Sequence, residues 1–214
     1  MTLSDNEIAK RVHYNEDSLD ISPYNETNLQ PASYDLRLGR QFKILRKVSL
    51  RDKIVQTIKR LLPLSNAEPA HFDPVEDEVT EEVVNLNNED GFILKPGEFV
   101  LGHTQEVVSI PDDLVGVVHG RSSWARIGIN PHLGGYIDPG FEGQITLELS
   151  NLTDSAIKIR TGQRFCQIAF HELNEPASEP YRGKYQKDRG AKVTRLRDDV
   201  ENNPPTIDKF LANR

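Results

Sequence analysis

The densest group of chemically capable side chains is His119-Gly120-Arg121-Ser122-Ser123-Trp124-Ala125-Arg126. A glycine lets backbone approach an anion closely, main-chain N–H groups and the Ser122 and Ser123 hydroxyls donate to phosphate oxygens, and Arg121 and Arg126 add planar charged forks. The same composition also describes an N-capped helix carrying surface arginines, so the segment alone leaves both readings open. A second group follows it. Tyr136-Ile137-Asp138-Pro139-Gly140-Phe141 reads as a strand end entering a turn, and Gly143-Gln144-Ile145-Thr146-Leu147-Glu148-Leu149 alternates with period two. Glu148 therefore shares a strand face with Gln144 and Thr146, opposite Ile145, Leu147 and Leu149. On an open face such a glutamate is ordinary. Lining a pocket, it becomes a candidate general base.

Other chemistries are harder to build from this chain. Cys166 is the single cysteine among 214 residues, which excludes an intramolecular disulfide and the His/Glu plus Pro-Cys-x-x-Cys set of zinc-dependent nucleobase deaminases. His103, His119, His132 and His171 are scattered, as strand-edge or hydrogen-bonded histidines are, and no protein-bound metal is expected. The formal net charge of -7 argues against a sequence-independent grip on nucleic acid, which needs clustered Lys and Arg. Any phosphate must bind in a local pocket. Nothing in the sequence has the length and apolarity of a membrane span, so a soluble, cytoplasmic protein is expected.

The elements that must position these residues are mostly strands. Ser4 and Glu7 form a capping-box pattern for a short helix over 5–12. Tyr34 to Gly39 alternates and then turns. Ile54, Ile58, Leu61 and Leu62 share one face of a helix over 50–62 that Pro63 stops, and an acidic, proline-containing loop follows over 67–82. From Gly91 onward short β-rich runs over 92–94, 99–110, 114–119, 144–149, 157–159 and 165–170 are separated by Pro-Gly, Pro-Asp and Thr-Gly turns, the signature of an all-β sandwich or barrel. The expected organisation is one domain over 1–214, with an inserted helix and acidic loop at 49–85 and a polar C-terminal arm at 176–214.

Taken in order, Leu3-Ser4-Asp5, Ala32-Ser33-Tyr34-Asp35-Leu36-Arg37-Leu38-Gly39, Lys95-Pro96-Gly97-Glu98-Phe99-Val100-Leu101-Gly102, Gly120-Arg121-Ser122-Ser123, Ile137-Asp138-Pro139-Gly140-Phe141 and Thr146-Leu147-Glu148-Leu149 resemble the dCTP deaminases and their dUTPase relatives. Gly162-Gln163-Arg164, Gln167-Ile168 and Lys184-Tyr185 extend the resemblance. It implies a mainly β, dUTPase-like distorted β-barrel of jelly-roll character with a short N-terminal helix. It also implies a homotrimer with active sites at subunit interfaces and Mg²⁺ carried on the nucleotide triphosphate. Glu148 matches the family's general base, Arg126 the arginine that orients it, and Ser122 a serine that helps hold the attacking water. Arg121 and Ser123 would hold phosphates together with Tyr181, Lys184 and Tyr185 of the arm. Asp138 matches the aspartate near the deoxyribose, which in dUTPases activates the water attacking the α-phosphate. Gly134, Gly135 and Tyr136 complete the substrate-binding set. So does Asp188, which stands where the family has a glutamine, and Leu133-Gly134 stands where it reads Thr-Ala.

The resemblance implies deamination of dCTP to dUTP and ammonia. Because Asp138 and Glu148 are both present and Gly135 precedes the Tyr-Ile-Asp run, it also implies an alternative, a bifunctional enzyme that continues to dUMP and pyrophosphate. A dUTPase without deamination and a non-catalytic dNTP-binding regulatory protein are the remaining alternatives.

Overall fold

The computed structural model describes residues 1–14, 19–46, 79–87, 90–131 and 134–199, together with residue 58. The helix expected over 50–62 and the acidic loop after it lie outside these residues except for Ile58, which is helical, and so do His132 and Leu133. The chain forms two compact units, Met1–Ile44 with Val83–Lys192, and Leu45–Glu82 with Val193–Arg214. Every described residue singled out for chemistry belongs to the first. In the second, Leu196–Asp198 forms a 3-10 turn. Among the described residues no helix is long and apolar enough to cross a membrane.

Helix α1 (Asp5–Tyr14) starts where the sequence predicts, with the Ser4 hydroxyl accepting the Glu7 N–H at 3.4 Å and Ile8 fully buried. The remaining architecture is β. Strands β1 (Asp20–Ser22), β2 (Leu29–Gln30), β3 (Ser33–Arg37), β4 (Gln41–Arg46) and β5 (Thr80–Asn85) precede β6 (Gly91–Leu94), β7 (Phe99–Ser109) and β8 (Leu114–Gly120). After a four-residue helix α2 (Ser122–Ala125) come β9 (Ile129–Asn130), β10 (Tyr136–Ile137), β11 (Glu142–Asn151), β12 (Ile157–Arg160) and β13 (Arg164–Glu172). One sheet has the order β5-β4-β7-β11-β9 with β1 also on β7, a second has β10-β8-β13-β3-β2, and β6 pairs with β12. The fold is mainly β, a distorted barrel whose sheets do not close on one another. Tyr34, Leu36, Leu38, Phe42, Leu147, Leu149, Phe165, Ile168 and Phe170 form its fully buried core.

The two longest strands, β7 and β11, are antiparallel but out of simple register. Gln144 faces Val107 and Thr146 faces His103, so β7 spends three residues where β11 spends one. The Thr104 hydroxyl fills the gap, accepting the Ile145 N–H at 2.9 Å and donating to the Glu106 carbonyl at 2.8 Å. This bulge turns Glu106 inward. Its carboxylate has no solvent exposure and accepts bonds from the backbone N–H and Nε of Arg37, on a strand of the other sheet. Burial pushes the Glu106 carboxyl up, opposed by the bonds from Arg37.

Just before the bulge, His103 is 7% exposed. Its Nδ1 stands 2.7 Å from the Thr104 carbonyl and its Nε2 3.3 Å from the Gln41 N–H. A carbonyl only accepts, so Nδ1 carries the proton and Nε2 accepts: both nitrogens are satisfied in the neutral ring. Gly39 passes so close that a Cβ there would sit 2.2 Å from the imidazole, which explains the glycine. Burial lowers the His103 pKa. The unfolded chain therefore takes up a proton that the folded one excludes, and folding stability contributed by the neutral ring is lost as pH falls below the ordinary imidazole value of 6.5. Denaturant unfolding from pH 7.5 down to about 5.5 should show a steeper loss for wild type than for His103→Gln; equal slopes would mean that the ring is accessible to protons.

Candidate active site

Strand β11 exposes one side and buries the other along its whole length. Gly143, Ile145, Leu147, Leu149 and Asn151 are buried while Gln144, Thr146, Glu148 and Ser150 are half-buried on the opposite face. Glu148 is paired across the ladder with Leu101, and Thr146 with His103. The Oε2 of Glu148 accepts the Gly134 N–H at 3.4 Å. From that contact the chain runs directly along β10. The Gly135 carbonyl accepts the Val118 N–H at 2.7 Å, Tyr136 faces Val117 and is 63% exposed, and Ile137 faces Gly116 and is buried. Asp138 follows, exposed at the head of a turn closed by the Phe141 N–H on its carbonyl. Five residues, 134–138, thus connect the two acids that the sequence marks.

The arm is seated on this strip. The Tyr181 N–H donates to the Pro139 carbonyl at 2.7 Å, the Lys187 N–H to the Glu142 carbonyl at 2.7 Å, and the Gln144 N–H to the Asp188 carbonyl at 3.0 Å. Further along, the Gly190 N–H donates to the Gln144 side chain at 2.7 Å and the Lys192 N–H to the Thr146 hydroxyl at 3.2 Å. Gln144 and Thr146, read in sequence only as companions of Glu148, are where the arm is fastened. The Tyr181 ring lies 6.0 Å from Phe141, and its hydroxyl accepts the Tyr185 N–H at 3.1 Å. Lys184 Nζ sits 5.4 Å from the centre of the Tyr185 ring. Asp188, the acid in place of the family's glutamine, is half-buried with its Oδ2 withdrawn from solvent.

The arginine-serine segment faces elsewhere. Arg121 occupies the N-cap position of α2 without capping it. Its Nε stands 3.2 Å from Asp35, and its Nη1 donates to the Arg164 carbonyl at 3.1 Å. Asp35 is 1% exposed, on β3, and Arg164 Nη1 stands 3.3 Å from the same oxygen, Oδ2, that Arg121 Nε approaches. Burial pushes its carboxyl up, and both arginines oppose that shift. Trp124 is fixed by packing: Nε1 donates to the same Arg164 carbonyl at 3.0 Å and the indole lies 4.7 Å from Phe165. Ser122, Ser123 and Arg126 are exposed, and among the described residues their side chains make no hydrogen bond or ion pair. One chain therefore does not join Arg126 to Glu148. Asp35 and Arg164, which the sequence offers only as parts of motifs, are brought together with Arg121. A charge between Tyr34 and Leu36 in an apolar strand was the available signal.

A family model described as dCTP deaminase-like matches residues 2–173. The chain belongs to the dCTP deaminase-like family. It is 42% identical over 205 residues to the "dCTP deaminase, dUMP-forming" of Dictyoglomus thermophilum, covering 92% of this chain and 95% of that protein. It is 38% identical over 206 residues to the protein of the same name from Methanosphaera stadtmanae, covering 93% and 95%. It is also 42% identical over 208 residues to the "dCTP deaminase" of Natronomonas pharaonis, covering 94% and 97%. Among solved structures, the 2'-deoxycytidine 5'-triphosphate deaminase from Agrobacterium tumefaciens superposes with a TM-score of 0.54 at 22% identity, over 80% of this chain and 48% of that one. That likeness bears on the fold alone.

For this dCTP deaminase-like chain, the seat of the arm rests on Gly140. Its φ is +83°, and a Cβ there would stand 2.5 Å from Pro180 Cβ. Gly97 has a similar φ of +66° with nothing within 4 Å of the added atom. Gly97→Ala should cost only the backbone strain, about 1 kcal/mol. Gly140→Ala should cost roughly 1–3 kcal/mol more, because the clash adds to the strain, with faster amide exchange over 181–188. Equal unfolding free energies for the two variants would show that the arm does not press on Gly140.

Proposed function

We propose that this protein deaminates dCTP and hydrolyses the resulting dUTP at one site, releasing ammonia, pyrophosphate and dUMP. The observation that carries the reading is the 134–138 segment, whose first amide meets Glu148 and whose last residue is Asp138. The dUMP-forming names of relatives at 42% and 38% identity support the two-step reaction over the plain deaminase.

In the first step Glu148 takes a proton from water as the water adds to C4 of cytosine, then returns protons to the amine so that it leaves as ammonia. The Gly134 N–H on Oε2 holds the carboxylate in place. Ser122 and Arg126, whose side chains have no partner among the described residues, are disposed to meet the water and the carboxylate of a neighbouring subunit, in a homotrimer with shared sites. In the second step Asp138 activates water against the α-phosphorus, and the bond to the β-phosphate oxygen breaks to release pyrophosphate. Arg121, Ser123, Tyr181, Lys184 and Tyr185 bind the phosphates, and Gly134, Gly135 and Tyr136 line the nucleoside. Among the described residues no three His, Cys, Asp or Glu side chains converge as a ligand set. The exposed serines and arginines suit an anion instead, and Mg²⁺ comes with the triphosphate as its counter-ion. Bound there, it would neutralise the charge that builds on the leaving pyrophosphate.

Purified protein given dCTP and Mg²⁺ should release ammonia and dUMP in equal amounts. Glu148→Gln should lose deamination by about 10²-fold or more while still hydrolysing added dUTP, and Asp138→Asn should stop at dUTP. Accumulation of dUTP by the wild type would reduce the protein to a plain deaminase. Hydrolysis of dUTP with dCTP untouched would remove Glu148 as a base.

A further inference from the structure

We propose that Gln186 is a positioning residue that holds the phosphate-binding part of the arm against the Asp138 turn; this deepens the reading above and rests on it. Its side-chain carbonyl accepts the Glu142 N–H at 2.9 Å, the first residue of β11. Its amide donates to the Gly140 carbonyl at 2.8 Å and to the Tyr181 carbonyl at 3.4 Å. Three of the four hydrogen-bonding positions of one side chain are thus used, one on the turn that begins at Asp138, one on the strand residue that follows it and one on the arm itself. The backbone N–H of Gln186 closes the same loop on the Gly183 carbonyl at 3.1 Å. Lys184 and Tyr185 lie inside the loop that these bonds tie off. The next residue, Lys187, is the one non-glycine with positive φ among the described residues, at 61°. A chain held in that sparsely populated conformation persists only where its surroundings fix it: the Gln186 side chain and the Lys187 N–H bond to Glu142 hold it on the N-terminal side, and the Asp188 carbonyl, accepting the Gln144 N–H at 3.0 Å, holds it on the other.

A loop already folded onto the turn spares the ligand the ordering of Lys184 and Tyr185. Gln186 touches no reacting atom in this arrangement, so its loss weakens the grip on the triphosphate and leaves the proton transfers of Glu148 intact. The β- and γ-phosphates are what the arm would hold. dCMP, which lacks both, should be indifferent to the change.

Gln186→Met keeps the length of the side chain and removes all three bonds. It should raise KM and the directly measured Kd for dCTP by about tenfold with kcat changed by less than about threefold, leave the Kd for dCMP unchanged, and speed amide exchange over 181–187 without affecting 145–149. Should Gln186→Met fail to fold, Gln186→Asn, which keeps the amide one methylene shorter, should move the same quantities in the same direction. An unchanged dCTP Kd, an equal loss for dCMP, or a fall in kcat with KM unmoved would overturn the proposal. Wild-type protein that binds dCTP without turning it over would remove the reaction proposed above, and the ratio of dCTP to dCMP affinities would still decide the role of Gln186. Wild-type protein that binds neither nucleotide would overturn both.

Discussion

The pairing of β11 with β7 is the constraint on which the rest depends. A strand turns successive side chains to opposite faces, so once Ile145, Leu147 and Leu149 are committed to the core, Gln144, Thr146 and Glu148 have no choice of side. The bulge at Thr104 fixes that commitment. Without the hydroxyl bond to the Ile145 N–H, β11 would have to slip to recover a regular ladder, and a one-residue slip would carry Glu148 into the apolar core. The same bulge turns Glu106 inward to Arg37, which ties β7 to the opposite sheet. A buried carboxylate left without that partner would be costly, so the pair specifies this register more than it adds net stability.

The open face produced in this way is used twice. Glu148 takes the Gly134 amide at one end, while Gln144 and Thr146 take the arm's backbone at the other. The arm's polar composition therefore does not make it a free tail up to Lys192. Its groups find partners on the even-numbered side chains of β11 and on the turn at 138–141. The withdrawal of the Asp188 Oδ2 follows from this seating: with its carbonyl bound to the Gln144 N–H, the residue is drawn toward the strand.

Much of this was legible in the sequence, for reasons that differ by element. The strands from Gly91 onward announced themselves as β-rich runs between turn residues, and β6, β7, β8, β11, β12 and β13 all fall on those runs, with clean period-two alternation in β11. The helix cap at Ser4 was equally plain. Of the two-residue strands, β10 was visible as the strand end before the Asp138-Pro139-Gly140 turn, whereas β2 and β9 were not, since no periodicity can be read from two residues and their pairing is dictated by neighbours. Asp35 was quoted only as part of a motif. Its role depends on two arginines more than eighty residues away in sequence, and separation of that kind leaves no local trace. Gln186 was hidden for a related reason, because a single amide in a polar arm looks like solvent-exposed composition until its three partners are in view. The grip at 120–126 was ambiguous between a phosphate site and a capped helix, and the fold gives it a helical turn whose N-cap residue does no capping.

Charge balance around Asp35 accounts for how an acidic chain can still offer a positive site. One carboxylate at 1% exposure stands between Arg121 and Arg164. Two guanidiniums against one carboxylate leave an excess of one positive charge, held at the end of β8 where α2 begins. The arginines remain partly exposed, with side-chain exposures of 25% and 42%, so they keep much of their hydration while the carboxylate loses nearly all of its own. The burial cost of Asp35 therefore falls on the carboxylate, and the arginines offset it by standing close. Arg121 is directed by a group that is itself fixed in β3, instead of relying on a flexible surface side chain to find its place. A net charge of -7 over the whole chain says little about such a point. Within a Debye length of about 8 Å at physiological salt, the local pair of arginines outweighs the distant acids.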